Sequence, residues 1–177
     1  MNIAVYCGSV SGDDKAFTQA AIDVGNWLVD NNHTLVYGAG HVGLMGTVAD
    51  TVLERGGKVI GVMPDVVKIR EEMHTGLTEL IQVESMSVRK QIMMDKSDAF
   101  IALPGGPGTI DEISEIYVNN RIGVFDKPAA IFNVKGYYDP LKQVYEVMRE
   151  HGFMGKSEDG NIIFTDDIKE IEEFICK

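Results

Sequence analysis

Two carboxylates and two cations have the spacing of a reactive site. Glu112 and Glu115 sit one helical turn apart, directly after the run Pro104-Gly105-Gly106-Pro107-Gly108-Thr109-Ile110-Asp111. The adjacent pair Arg89-Lys90 comes a little earlier in the chain. Gly105, Gly106 and Gly108 carry no side chain, so their amides can approach an anion closely. A helix start just beyond them adds unsatisfied N–H donors and a positive dipole end. The chemistry this suits is the holding of a small anion beside a carboxylate, with a cation at hand. Each part also has a plainer reading. The glycines can be no more than a tight strand-to-helix turn. Thr109-Ile110-Asp111-Glu112 has the Ser/Thr-x-x-Glu pattern of a capping box, in which Glu112 only reaches back to the Thr109 amide. Adjacent residues on a helix point about 100° apart, so either Arg89 or Lys90 can face inward, or both can be solvated.

The elements that must position these groups alternate regularly. Asn2 to Cys7 is an apolar run in the style of a buried parallel strand. Gly8 to Gly12 is a loop, and Asp13 to Asp30 an amphipathic helix with Phe17, Ala20, Ala21, Val24, Trp27 and Leu28 on one stripe. Thr34 to Tyr37 is a second strand, followed by the glycine loop 38–43 and a helix from Leu44 to Arg55. Gly40 belongs to that loop, as does His41, a lone histidine that is either incidental or ligand-facing. Lys58 to Met63 is a third strand. The polar stretch 65–76, with Arg70, Glu71, Glu72 and His74, is a rim over the site or a solvated connection. Glu79 to Val83 is a fourth strand and Ser85 to Lys96 a helix carrying Arg89-Lys90. The strand 98–103 then leads into the glycine run and a helix ending near Arg121. Ala129 to Asn133, Leu141 to Glu150, Ile162 to Phe164 and Asp166 to Cys176 complete the alternation of strand and helix. This pattern predicts an α/β fold with a doubly wound parallel sheet, helices on both faces, and one domain over 1–177. The loops 8–12, 38–43 and 104–108 all follow strand ends, so they meet at the carboxyl edge of the sheet, where such folds bind ligands.

Composition narrows the partners. The chain has 177 residues, 45% hydrophobic and 24% charged, with a net charge of -11. That charge argues against broad nucleic-acid binding and against attachment to an anionic membrane surface. The two cysteines, Cys7 and Cys176, have neither disulfide-framework nor metal-site spacing. The start of the chain is already a strand and has no basic leader, so a cytoplasmic protein is expected.

Pro104-Gly105-Gly106-Pro107-Gly108-Thr109-Ile110-Asp111-Glu112 resembles the Pro-Gly-Gly-x-Gly-Thr-x-x-Glu signature of the Lonely-guy family. These proteins are cytokinin riboside 5′-monophosphate phosphoribohydrolases that long carried a lysine decarboxylase label. Met86-Ser87-Val88-Arg89-Lys90 is similar to the family's Met-x-x-Arg-Lys, and Tyr37 to Gly46 to its Tyr-Gly-Gly-Gly-x-x-Gly-Leu-Met-Gly, with Ala39 in place of the middle glycine. The resemblance runs from Val5 to about Tyr138 and implies a Rossmann-like fold. It also implies hydrolysis of the N-glycosidic bond of a nucleoside 5′-monophosphate, with no cofactor and no metal. By the same resemblance Glu112 is the catalytic carboxylate and Arg89 its cationic partner. Glu71, Lys90, Gly105, Gly106, Pro107, Gly108, Thr109, Ile110 and Asp111 bind substrate, and Ser9 lies near the phosphate. Gly40 and Glu115 complete the expected substrate-binding set. Val10 stands where a second serine is common, and Tyr117 where plant members differ. The base is therefore isopentenyl adenine or adenine. A homodimer or larger assembly is implied, and Met93, Met94, Ile113 and Ile116 are expected to lend part of its surface.

Other readings stay open. A non-catalytic nucleotide-binding or carrier module needs the same fold. A nicotinamide-dependent oxidoreductase needs an acidic residue at the end of the strand after loop 38–43, but that strand runs into Pro64. Pyridoxal phosphate chemistry has no recognisable holding residues.

Overall fold

Backbone pairing follows the apolar runs. The structure, a computed structural model, describes residues 1–66, 73–155 and 161–177. Among the described residues, the strands are β1 (Asn2–Tyr6), β2 (Thr34–Tyr37), β3 (Lys58–Pro64), β4 (Glu79–Val83), β5 (Ala99–Ala102), β6 (Ala129–Phe132) and β7 (Ile162–Thr165). They form one sheet in the order β4-β3-β2-β1-β5-β6-β7. Each pairing is parallel.

The helices are α1 (Lys15–Asp30), α2 (Gly43–Glu54), α3 (Met86–Lys96), α4 (Pro107–Arg121), α5 (Asp139–Glu150) and α6 (Ile168–Ile175). The period-2 alternation of each strand divides its side chains between two apolar clusters. Ile3 and Val5 of β1 join Val24 and Leu28 of α1, Val48 and Val52 of α2, and Ile171 of α6 on one face. Ala4 and Tyr6 join Met93 of α3, Ile113 and Ile116 of α4, and Tyr145 of α5 on the other. The doubly wound α/β sheet expected from the sequence is therefore the observed fold.

β1 and β5 are neighbours, yet the chain leaves them in opposite directions, toward β2 and toward β6. The crevice this opens at their carboxyl ends is where open α/β sheets take ligands. Three loops close on it. Gly8 N–H donates to Pro104 O at 3.0 Å, and Leu44 and Met45 N–H both donate to Gly8 O, at 3.1 and 3.3 Å.

Three sequence expectations need correction. The first concerns the start of α4, which lies at Pro107 with Gly106 as N-cap. Proline at the first helical position has its φ preset, and the N–H it lacks would have gone unused there. Thr109 therefore sits inside the helix, and its N–H donates to Gly106 O at 3.1 Å. The capping box at Thr109 does not form, so Glu112 is not a cap. The second concerns Met93, Met94, Ile113 and Ile116, which are at most 4% exposed and pack within the chain's own core, so these four offer no surface to a second subunit. The third concerns α1, which starts at Lys15 rather than Asp13; Asp14 caps it by accepting from Ala16 N–H at 2.9 Å.

Candidate active site

The site begins with how α3 is started. Ser85 caps it, its hydroxyl accepting from Val88 N–H at 3.3 Å, while Arg89 N–H donates to Ser85 O at 3.0 Å. This first turn aims Arg89 inward, and the residue is only 7% exposed. Its Nη1 lies 3.8 Å from Met86 Sδ, and its Nη2 lies 3.9 Å from Glu112 Oε1 on α4. The guanidinium has room only because residue 38 is glycine: a Cβ there would stand 1.8 Å from Arg89 Nη2.

Lys90, one position on, meets a different set of groups. Its Nζ is 2.9 Å from Asp111 Oδ2 and 2.9 Å from Glu115 Oε2. Hydrogen bonds to Asp111 first, and to Glu115 second, hold the Lys90 pKa above its ordinary value. Lys90 thus ties α3 to α4 through two carboxylates, beside the Arg89–Glu112 pair.

Arg89 and Glu112 both border a cleft of about 310 Å³. Ser9 from the first loop lines it, with Gly106, Pro107, Gly108, Thr109 and Asp111 from the start of α4. The first turn of α4 is exposed to the cleft and gives it the positive end of a fifteen-residue helix. The start of α2 is occupied differently, since its Leu44 and Met45 amides serve the Gly8 carbonyl. An anion in this cleft is therefore best served by α4.

The remaining expected residues lie around this centre. Gly105 borders a neighbouring hollow, and its carbonyl accepts from Tyr137 Oη at 2.7 Å. A Cβ on Gly105 would stand 2.1 Å from Thr109 Oγ1, so glycine is needed where the loop folds back on α4. Ile110 packs against the core. Gly40 pairs with Met73 in an antiparallel bridge away from the cleft. Glu71 lies outside the described residues, as does half of the proposed rim 65–76.

Sequence reasoning missed much of the rest of the lining. Val5, Tyr6, Cys7, Gly38, Met45, Met86 and Met93 line the cleft. Met86 was legible as the first residue of the motif that contains Arg89, and Gly38 as the residue after a strand end. Burial, and then the Glu112 and Glu115 charges, push the Tyr6 hydroxyl well above its usual pKa. Burial likewise raises the Cys7 thiol. Both groups are protonated near neutral pH, so they add no charge to the lining they share with Arg89 and Glu112.

The family described as "Possible lysine decarboxylase" matches residues 45–175. Two Arabidopsis thaliana proteins, each named a cytokinin riboside 5′-monophosphate phosphoribohydrolase, are 40% and 41% identical to the chain. Each match spans 169 residues, 96% of this chain and 79% of the relative. Among solved structures, the molybdenum cofactor binding protein from Rippkaea orientalis superposes with a TM-score of 0.73 at 19% identity, covering 99% of this chain and 94% of that one. At that identity the likeness extends to the fold alone.

Proposed function

The chain belongs to the Lonely-guy family, and on that premise we propose that it is a phosphoribohydrolase that cleaves a purine nucleoside 5′-monophosphate into free base and ribose 5-phosphate. The observation that carries this reading is the Arg89–Glu112 pair, 3.9 Å apart, with side chains only 9% and 11% exposed, bordering a cleft with the start of α4. The bond between ribose C1′ and the base nitrogen breaks, and its electron pair leaves with the base. Glu112 stabilises the positive charge that develops on the ribose and orients the incoming water, whose oxygen bonds to C1′. One proton of that water ends on the departing base and the other stays on the new ribose hydroxyl. Arg89 fixes the Glu112 carboxylate, and the α4 amides hold the 5′-phosphate. The base, adenine or isopentenyl adenine, rests against the wall of Tyr6, Met45, Met86 and Met93. Incubation with AMP and with isopentenyladenosine 5′-monophosphate, scored by chromatography of the released base, tests the reading. Absence of free base from every purine monophosphate tried would refute it.

A second reading has one observation in its favour, the likeness in fold to a cofactor-binding protein. On that reading the cleft holds a nucleotide and does no chemistry. Stoichiometric binding of AMP without base release would favour it.

The active form on this account is a homodimer or larger assembly in the cytoplasm. Among the described residues no helix is long and apolar enough to cross a membrane. Exposed Val118 and Ile122 near the end of α4, with Val124 beyond it, offer the apolar surface that the buried methionines do not. A monomeric mass by light scattering would remove this part of the proposal.

A further inference from the structure

Three residues from separate elements meet beside the loop that carries Gly38. His41 comes from the β2–α2 loop, Asp50 from α2, and His74 from the segment before β4. One ligand atom from each lies within 4.8 Å of the other two. His74 Nε2 is 3.0 Å from Asp50 Oδ1, and the two imidazole rings stand edge to face with centroids 5.0 Å apart. His74 is 6% exposed, and its buried Nδ1 has no hydrogen-bond partner. The backbone fixes the arrangement: His74 N–H donates to Ala39 O at 3.0 Å, and Met73 pairs with Gly40. His41 and Asp50, by contrast, are open to solvent, so the mouth of the cluster is accessible.

A simple His74–Asp50 ion pair would not need the second imidazole beside it. We propose that His41, Asp50 and His74 form a binding site for a divalent transition-metal ion of the zinc class. Two imidazoles and one carboxylate are the donor set favoured by zinc, cobalt and nickel; magnesium and calcium prefer oxygen alone. At bond lengths near 2.0–2.2 Å, ligand atoms around a tetrahedral ion stand about 3.3 Å apart. Closing the present spacing to that value requires movement of His41, whose side chain is exposed. Water completes the coordination, because two of the three ligands face solvent. Such an ion would pin the segment carrying Met73 and His74 to the β2–α2 loop. That loop also holds Gly38, against which Arg89 packs. The site is therefore a brace behind the cleft, and the proposed catalytic groups are not among its ligands.

Tag-free protein is stripped with a chelator and titrated with Co²⁺, read by the visible band of imidazole-ligated cobalt, and with Zn²⁺ against a chromophoric chelator. The expected result is one ion per chain. His41→Ala and Asp50→Asn should each weaken binding about tenfold or more, while Glu112→Gln leaves it unchanged. Zn²⁺ should raise the melting temperature of the parent and not that of His41→Ala. The exposure of His41 keeps that variant folded even if His74→Ala is not. No saturable binding, or binding by His41→Ala equal to the parent, overturns the proposal.

Discussion

Gly38→Ala changes one hydrogen into a methyl group, and the structure says what that methyl meets. Its Cβ would stand 1.8 Å from Arg89 Nη2, 2.9 Å from Arg89 Cζ and 3.2 Å from Met45 Sδ. Ordinary contact between heavy atoms is about 3.5 Å, so the guanidinium must retreat by roughly 1.7 Å. The obstructing atom is the end of a long side chain, which keeps the stability cost within the overpacking range of about 1–3 kcal/mol. For a chain of this length that is a fall in melting temperature of roughly 2–12 °C. The effect on chemistry is larger. Misplacing a catalytic partner by about 1 Å costs on the order of a hundredfold in rate, or about 2.7 kcal/mol of barrier. The assay is kcat/KM for base release from AMP, in the single variant and in an Arg89→Ala background. If Gly38→Ala acts by displacing Arg89, it has little left to remove once Arg89 is gone, so the two losses should be far from additive. Parental kcat/KM in Gly38→Ala, or a full additional loss in the double variant, would refute the reasoning.

Arg89→Lys replaces a planar fork with a point charge that cannot hold a carboxylate in the same geometry, and kcat for base release should fall on the order of a hundredfold while circular dichroism stays parental. If the start of α4 holds the 5′-phosphate, AMP should be cleaved about a hundredfold or more faster than adenosine in parallel kinetic runs; equal rates would remove the phosphate cradle from the account. Cys7 is 8% exposed and its thiol is held protonated by burial, whereas Cys176 is exposed. An aromatic disulfide reagent should therefore titrate one thiol quickly in native protein and the second only after denaturation.

The alternation of apolar runs with helical periods was enough to read the sheet, because the central strands are buried on both faces and each helix covers one. The convergence of three glycine loops was legible for the same reason: topology alone sends strand-to-helix loops to one edge. What stayed hidden was set by contacts between distant segments. Pro107 and Thr109 both announce a helix start, and the pattern around Thr109 is the more familiar. Proline at the first helical position prevails in the fold, and this frees Glu112 from a capping role. The apolar excess on α3 and α4 was visible, but periodicity cannot say whether a helix is covered by its own sheet or by another chain; here Met93, Met94, Ile113 and Ile116 are buried in the chain's own core. Gly38 carries no local signal beyond its place after a strand, since its role depends on Arg89, far along the chain. His41 and His74 look unrelated in sequence because the bridge between Gly40 and Met73 is what brings them together.

The central claim is that Glu112 acts on the ribose, and Glu112→Gln tests it most directly. Glutamine keeps the size and hydrogen-bonding reach of the side chain and removes only the charge. With α4 begun at Pro107, no cap is lost in the exchange. AMP binding by calorimetry and adenine release by chromatography are measured on the same preparation. The account predicts binding within a few-fold of the parent and turnover reduced on the order of a hundredfold or more. Turnover at the parental rate would contradict it.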